Sequence, residues 1–162
     1  MSPHALGLMA EGLASNTRLT DLFFTHNDLK AGEEAGLAFI RALSNKKDLR
    51  SLALNSCNLN GEYLTELRNA IEAQTELREL YLFANKISPQ GANDISGILK
   101  NKSKITTLGL SNNKLDSTGA VELAERGLVG KQNLVKLSIE NNGIGNRGLE
   151  AIAKALKECR SI

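Results

Sequence analysis

Leu77-Arg-Glu-Leu80-Tyr-Leu82-Phe-Ala-Asn85-Lys-Ile87 carries apolar side chains at its first, fourth, sixth and eleventh positions and an amide at its ninth. Four other stretches keep that spacing: Leu19-Thr-Asp-Leu22-Phe-Phe24-Thr-His-Asn27-Asp-Leu29, Leu49-Arg-Ser-Leu52-Ala-Leu54-Asn-Ser-Cys57-Asn-Leu59, Ile105-Thr-Thr-Leu108-Gly-Leu110-Ser-Asn-Asn113-Lys-Leu115 and Leu134-Val-Lys-Leu137-Ser-Ile139-Glu-Asn-Asn142-Gly-Ile144. Every apolar slot is apolar in all five copies, and the ninth slot is Asn or, once, Cys. The copies start at 19, 49, 77, 105 and 134, giving successive spacings of 30, 28, 28 and 29 residues. Self-similarity at such a period marks a stacked array, in which each unit buries its apolar face against the next.

Each interval leaves 17 to 19 residues after the motif, room for a loop and a helix. Leu13, Leu43, Ile71, Leu99 and Leu128 stand six residues before a motif start, and Leu156 stands six before Ile162. Four residues earlier come Met9, Phe39, Leu67, Ile95, Ala124 and Ile152. An i, i+4 apolar pair predicts the buried stripe of a helix. The mostly small residues Gly12, Ala42, Ala70, Ile98, Gly127 and Ala155 predict close approach of helix to sheet. Ser88-Pro89 reads as an N-cap followed by Pro at the first helical position, with Asn60 and Asp116 as similar starts.

The period, the helix in every unit and the Asn/Cys slot resemble the ribonuclease-inhibitor type of leucine-rich repeat, over essentially the whole chain. The resemblance implies an α/β fold, a right-handed solenoid forming a horseshoe segment, with parallel strands on the concave face and helices on the convex face. It also implies a structural ladder of side chains, Asn27, Cys57, Asn85, Asn113 and Asn142, bonded to backbone at each strand-to-loop turn. The chain then divides as a single domain, 1–162: a partial repeat helix over 1–18, repeats over 19–48, 49–76, 77–104, 105–133 and 134–161, and a truncated sixth repeat at 162. Solenoids are normally closed by atypical capping units. Here Ala5 to Asn16 reads as the helix of a repeat without its strand, and Ile162 as the first slot of a sixth strand. The expectation is a fragment of a longer array; the alternative is a short protein whose ends are covered by a partner or a second copy.

Side chains alternate faces along a strand. With slots 1, 4 and 6 turned to the core, slots 3, 5, 7 and 8 face the concave surface. Asp21, Phe23, His26, Asn55, Glu79, Tyr81, Phe83, Lys136 and Glu140 are the candidate partner-binding residues. Three of the six aromatics of the chain, Phe23, Tyr81 and Phe83, fall in these slots. Exposed aromatics anchor protein interfaces; equally, aromatics pair across strands for packing alone. The small residues Gly109, Ser111 and Ser138 predict a shallow C-terminal half of that face.

The composition carries little further chemistry. With 20 Lys and Arg against 18 Asp and Glu, the net charge is +2, no footprint for nucleic acid. Lys46-Lys47, and Lys102 with Lys104, read as solvated loop residues. No apolar run reaches the ~20 residues that span a bilayer, and the N-terminus lacks the pattern of a signal peptide. The two cysteines, Cys57 and Cys159, make no disulfide framework, which favours a reducing, cytoplasmic location. His4 and His26 are the only histidines, and His26, beside Asp28, reads as a solvated polar residue. No metal-ligand spacing, phosphate loop or cofactor motif occurs, so no catalytic residue, metal or cofactor is assigned.

The chain therefore reads as a non-enzymatic interaction module for a protein partner, without nucleic acid or membrane as ligand. Two other readings stand beside it. One is a regulatory segment of a GTPase activator, an immune-type sensor or a bacterial effector. The other is an assembly element that self-associates end to end.

Overall fold

The structure is a computed structural model and describes residues 1–159. Ile162, expected as the first slot of a sixth strand, lies outside the described residues. Helices and strands alternate: α1 (Pro3–Ser15), β1 (Asp21–Phe23), α2 (Glu33–Arg41), β2 (Ser51–Ala53), α3 (Glu62–Ile71), β3 (Glu79–Tyr81), α4 (Pro89–Leu99), β4 (Thr107–Gly109), α5 (Asp116–Glu122), β5 (Lys136–Ser138) and α6 (Gly145–Glu158). The strands form one parallel sheet in chain order. Its register is slot on slot, with Asp21, Ser51, Glu79, Thr107 and Lys136 in one row and Phe23, Ala53, Tyr81, Gly109 and Ser138 in another. Parallel neighbours need a crossover, and each repeat supplies it as a helix that packs on the helix of the next repeat. The result is a leucine-rich-repeat solenoid with strands on the concave face and helices on the convex face.

The repeat columns form the core. Leu49, Leu52, Leu54, Leu77, Leu80, Leu82, Leu108 and Leu110 are fully buried, as are Phe39, Leu43, Leu67, Ile71, Ile95 and Leu128 on the helices. Burying each large apolar side chain contributes about 1.5–3 kcal/mol. The columns open at the two ends of the stack. Met9 is 37% exposed and Leu156 39%, although both belong to the predicted helix stripe. Each is packed by a neighbouring repeat on one side only.

Differences in repeat length are absorbed in the helices. The 28-residue repeats over 49–76 and 77–104 have plain α-helices, α3 and α4. The 29-residue repeat continues α5 through a π-helical turn at Leu123–Leu128, the usual way of accommodating an inserted residue. The 30-residue repeat adds short 3₁₀ turns at Leu29–Ala31 and Ala42–Asn45.

Helix starts match the reading at two of three places. The Ser88 hydroxyl accepts from the Gly91 N–H at 3.3 Å. The Asp116 carboxylate accepts from the N–H groups of Thr118 at 2.6 Å and Gly119 at 3.2 Å. Asn60 does not cap: α3 begins after Gly61, whose φ of 56° turns the chain, and Asn60 instead donates to the carbonyl of Asn85 at 3.2 Å. The small-residue column also behaves differently. A Cβ on Gly127 would meet Ser96 and Leu99 of α4 at 3.2 Å, so it is neighbouring helices that come close there. At Gly12 the same space is open.

Candidate functional site

Two hydrogen-bonded ladders hold the concave surface in place. In the first, the Asn85 side-chain oxygen accepts from the N–H groups of Cys57 at 2.9 Å and Leu59 at 3.0 Å, while its amide donates to the carbonyls of Leu54 and Phe83. Asn113 repeats the pattern one unit on, accepting from Asn85 and Ile87 and donating to Leu82 and Leu110. Asn142 accepts from Leu115 and donates to Leu110 and Ile139. Cys57 donates its thiol to the Phe24 carbonyl at 2.8 Å, and burial pushes that thiol above its ordinary pKa. Asn27, in the first strand-bearing repeat, bonds the Thr25 carbonyl within its own turn.

The second ladder overturns the reading of the lysines. Lys46 and Lys102 are fully buried and Lys131 nearly so. With Gln74 and Cys159 they stand three residues before each motif start. Four of these side chains reach back to the preceding helix end: Lys46 donates to the Leu13 carbonyl at 2.5 Å, Gln74 to Leu43 at 2.8 Å, Lys102 to Glu72 at 3.0 Å and Cys159 to Leu128 at 3.0 Å. Helix C-terminal carbonyls lack intrahelical donors and attract positive charge, so an ammonium can be buried there. Burial lowers the Lys102 pKa to about 8, and lowers those of Lys46 and Lys131. The column was visible as a period, but Lys, Gln and Cys share no hydropathy, so an apolar template passes over it.

On the concave face, Phe23 is 64% exposed. Tyr81 and Phe83 are half-buried with ring centroids 5.9 Å apart. The Glu79 carboxylate accepts from the hydroxyls of Ser51 at 3.1 Å and Tyr81 at 3.3 Å. Desolvation, then the charge of Glu79, raises the Tyr81 phenol above its ordinary pKa. Asn55 is tied into the scaffold, its oxygen accepting from the Phe83 N–H at 2.8 Å. Asp21, Lys136 and Glu140 are exposed, and Glu140 accepts from the Ser111 hydroxyl.

The C-terminal half of this face is not the open shelf that small residues suggested. Gly109 and Ser111 are buried, and a Cβ on Gly109 would lie 2.4 Å from the Phe83 ring and 3.1 Å from Tyr81. The two rings lean over β4 and occupy the room the glycine leaves. Slot 8 is a turn rather than a face. His26, Ser56, Ala84, Asn112 and Asn141 all have φ between 54° and 58°, the left-handed region where the strand breaks into the loop. Among the described residues no hydrogen bond joins His26 to Asp21 or Asp28.

Among the described residues no group of three or more His, Cys, Asp or Glu is placed to hold a metal ion, and no helix is long and apolar enough to cross a membrane.

A family model described as "Leucine Rich repeat" matches residues 101–124 and 130–153, and the chain belongs to the leucine-rich-repeat proteins. Relatives include the human NACHT, LRR and PYD domains-containing protein 13, 28% identical over 94% of this chain and 15% of that protein. The mouse NACHT, LRR and PYD domains-containing protein 14 is 30% identical over 90% of this chain and 14% of its own length. The protein phosphatase 1 regulatory subunit 37 homolog of Caenorhabditis elegans is 29% identical over 68% of this chain and 12% of its own length. The chain thus spans between 12% and 15% of these relatives. A solved structure, the tropomodulin C-terminal domain of Caenorhabditis elegans, superposes with a TM-score of 0.74 at 16% identity, over 94% of this chain and 92% of that one. At that identity the likeness is one of fold.

Proposed function

We propose that this chain is a protein-interaction module of the ribonuclease-inhibitor type that holds a protein partner on its concave face, as a segment of a longer repeat array. The observation that carries the reading is aromatic surface on one face: Phe23 at 64% exposure on β1, and the Tyr81–Phe83 pair 5.9 Å apart two strands away, on a face whose backbone is locked by ladders. Rigid, partly exposed aromatics on an ordered sheet lose little entropy on binding and anchor interfaces. The much greater length of the relatives supports the array. Buried free thiols at Cys57 and Cys159 favour a reducing, cytoplasmic setting.

A regulatory role is the second reading, favoured by the regulatory-subunit name of the Caenorhabditis elegans relative. On either reading the chain acts by binding, and no catalytic residue is proposed.

The test is affinity capture with mass spectrometry, comparing the native chain with a Phe23→Ser, Tyr81→Ser, Phe83→Ser variant whose melting is cooperative. Partners retained by the native chain and lost by the variant support the concave face. Identical partner sets move recognition to the helices or the ends of the stack and overturn the assignment.

A further inference from the structure

The middle of the concave face holds a carboxylate without a counter-ion. Glu79 lies on β3, the central strand, and is half-buried. It takes part in none of the ion pairs among the described residues, which join Arg41 to Glu34 and Glu66, Arg68 to Asp94, Lys104 to Glu76, and Arg126 to Glu122. Its hydrogen bonds come from two neutral hydroxyls, those of Ser51 and Tyr81. The nearest residues in its row, Ser51 and Thr107, are uncharged, and the row continues to Asp21 on one side and Lys136 on the other. The nearby arginines serve another edge. Arg50 and Arg78 stand one slot before the strand face. With Lys104, which bonds the Glu76 carboxylate directly, they hold Glu76 below its ordinary pKa.

Tyr81, whose hydroxyl donates to this carboxylate, stands beside it, and the Phe83 ring lies beyond, 5.9 Å from the Tyr81 ring and tilted by 47°. A carboxylate with an aromatic pair to one side suits an organic cation: the charge pairs with the carboxylate, and the ring quadrupoles attract the same cation and cover its stem. Parallel strands are ~4.8 Å apart, so Asp21 on one side and Lys136 on the other each stand two strands away, within about a Debye length of ~10 Å, and their charges offset one another at Glu79.

We infer that the concave face receives a partner segment that places a Lys or Arg side chain on Glu79, with an adjacent apolar side chain against Tyr81 and Phe83. The inference rests on the concave-face reading above and adds the chemistry of the partner. Glu79 selects the charge, while the rings supply an anchor that tolerates either cation. The surface disfavours acidic segments at its centre, because a partner carboxylate there would face Glu79, with the only cation of the row, Lys136, two strands away.

The test is selection of a random dodecapeptide display library against the immobilised chain, followed by binding of the enriched synthetic peptides. Enriched peptides are expected to share a Lys or Arg next to an apolar residue. They should bind Glu79→Gln about two- to fivefold more weakly, the range of a partly exposed ion pair, since the rings and their cation–π contact remain. Affinity should also fall with added salt. Glu79→Gln keeps an oxygen to accept from Ser51 and Tyr81, so its melting temperature should match the native chain. Glu79→Lys should move the selection toward acidic peptides. Peptides lost by the triple aromatic variant but indifferent to Glu79→Gln would overturn the cation inference and leave the concave face standing. Peptides indifferent to both would overturn both, and a selection that enriches nothing would count against the inference as well.

Discussion

The Phe83 ring covers Gly109: a Cβ on the glycine would come within 2.4 Å of the ring. Phe83 follows β3 and Gly109 lies in β4, so an aromatic from one repeat fills the slot left empty by the next. This contact holds the ring half-buried, and it makes the position of the proposed anchor depend on a glycine that never touches a partner.

Gly109→Ala therefore pushes the Phe83 ring outward. The clash is with a side-chain end, so the expected loss is modest, about 1 kcal/mol. In a Phe83→Ala background the same substitution should cost almost nothing, a non-additivity readable from a double-mutant cycle of urea unfolding. Additive effects would mean that ring and glycine do not touch.

The first ladder predicts a graded series. Asn113 serves the buried N–H groups of Asn85 and Ile87 and the carbonyls of Leu82 and Leu110. Asn113→Ala leaves the two N–H groups and the Leu82 carbonyl unpaired, while Leu110 keeps its bond from Asn142, at about 1–3 kcal/mol for each buried group left unsatisfied, partly relieved by water. Cys57→Ala removes a thiol that only donates to carbonyls and should cost less than half as much. Chemical unfolding of the two variants checks the order; equal losses would contradict the bonding pattern.

The second ladder predicts a pH effect with a definite sign. Lys102 has a pKa of about 8 in the folded chain, against about 10.4 in the unfolded one. Between these values the unfolded chain holds more protons, so this residue makes stability rise as pH increases from about 8 to about 10. Lys102→Gln places at 102 the side chain that serves the same role at 74. It should fold with near-native stability at pH 7 and show a smaller rise. Lys102→Ala leaves the Glu72 carbonyl bare and should lose about 1–3 kcal/mol. Urea midpoints at about pH 7.5 and 9.5 separate the variants; a rise undiminished in Lys102→Gln would assign the titration elsewhere.

The architecture and the inward-facing leucines followed from spacing alone, because a five-fold periodic pattern can bury every apolar slot at once only as a stack of parallel strands backed by helices. Of the nine concave candidates, Asp21, Phe23, Glu79, Tyr81 and Lys136 lie in strands, where alternation is a local property, whereas Asn55, Phe83 and Glu140 follow a strand end and His26 lies in the turn. What pairs with what was a matter of three dimensions. Asn55 bonds the Phe83 backbone and Gly109 lies beneath the Phe83 ring across repeat boundaries, at separations of 28 and 26 residues. No local rule reaches that far. Lys46 and Lys102 look solvated by residue type and are buried in fact, because a helix end in the preceding repeat offers carbonyls that a donor three residues before the next motif start can reach. Strand alternation likewise placed slot 8 on the concave face, yet its backbone adopts left-handed φ in all five repeats, since every strand there must turn back toward its helix.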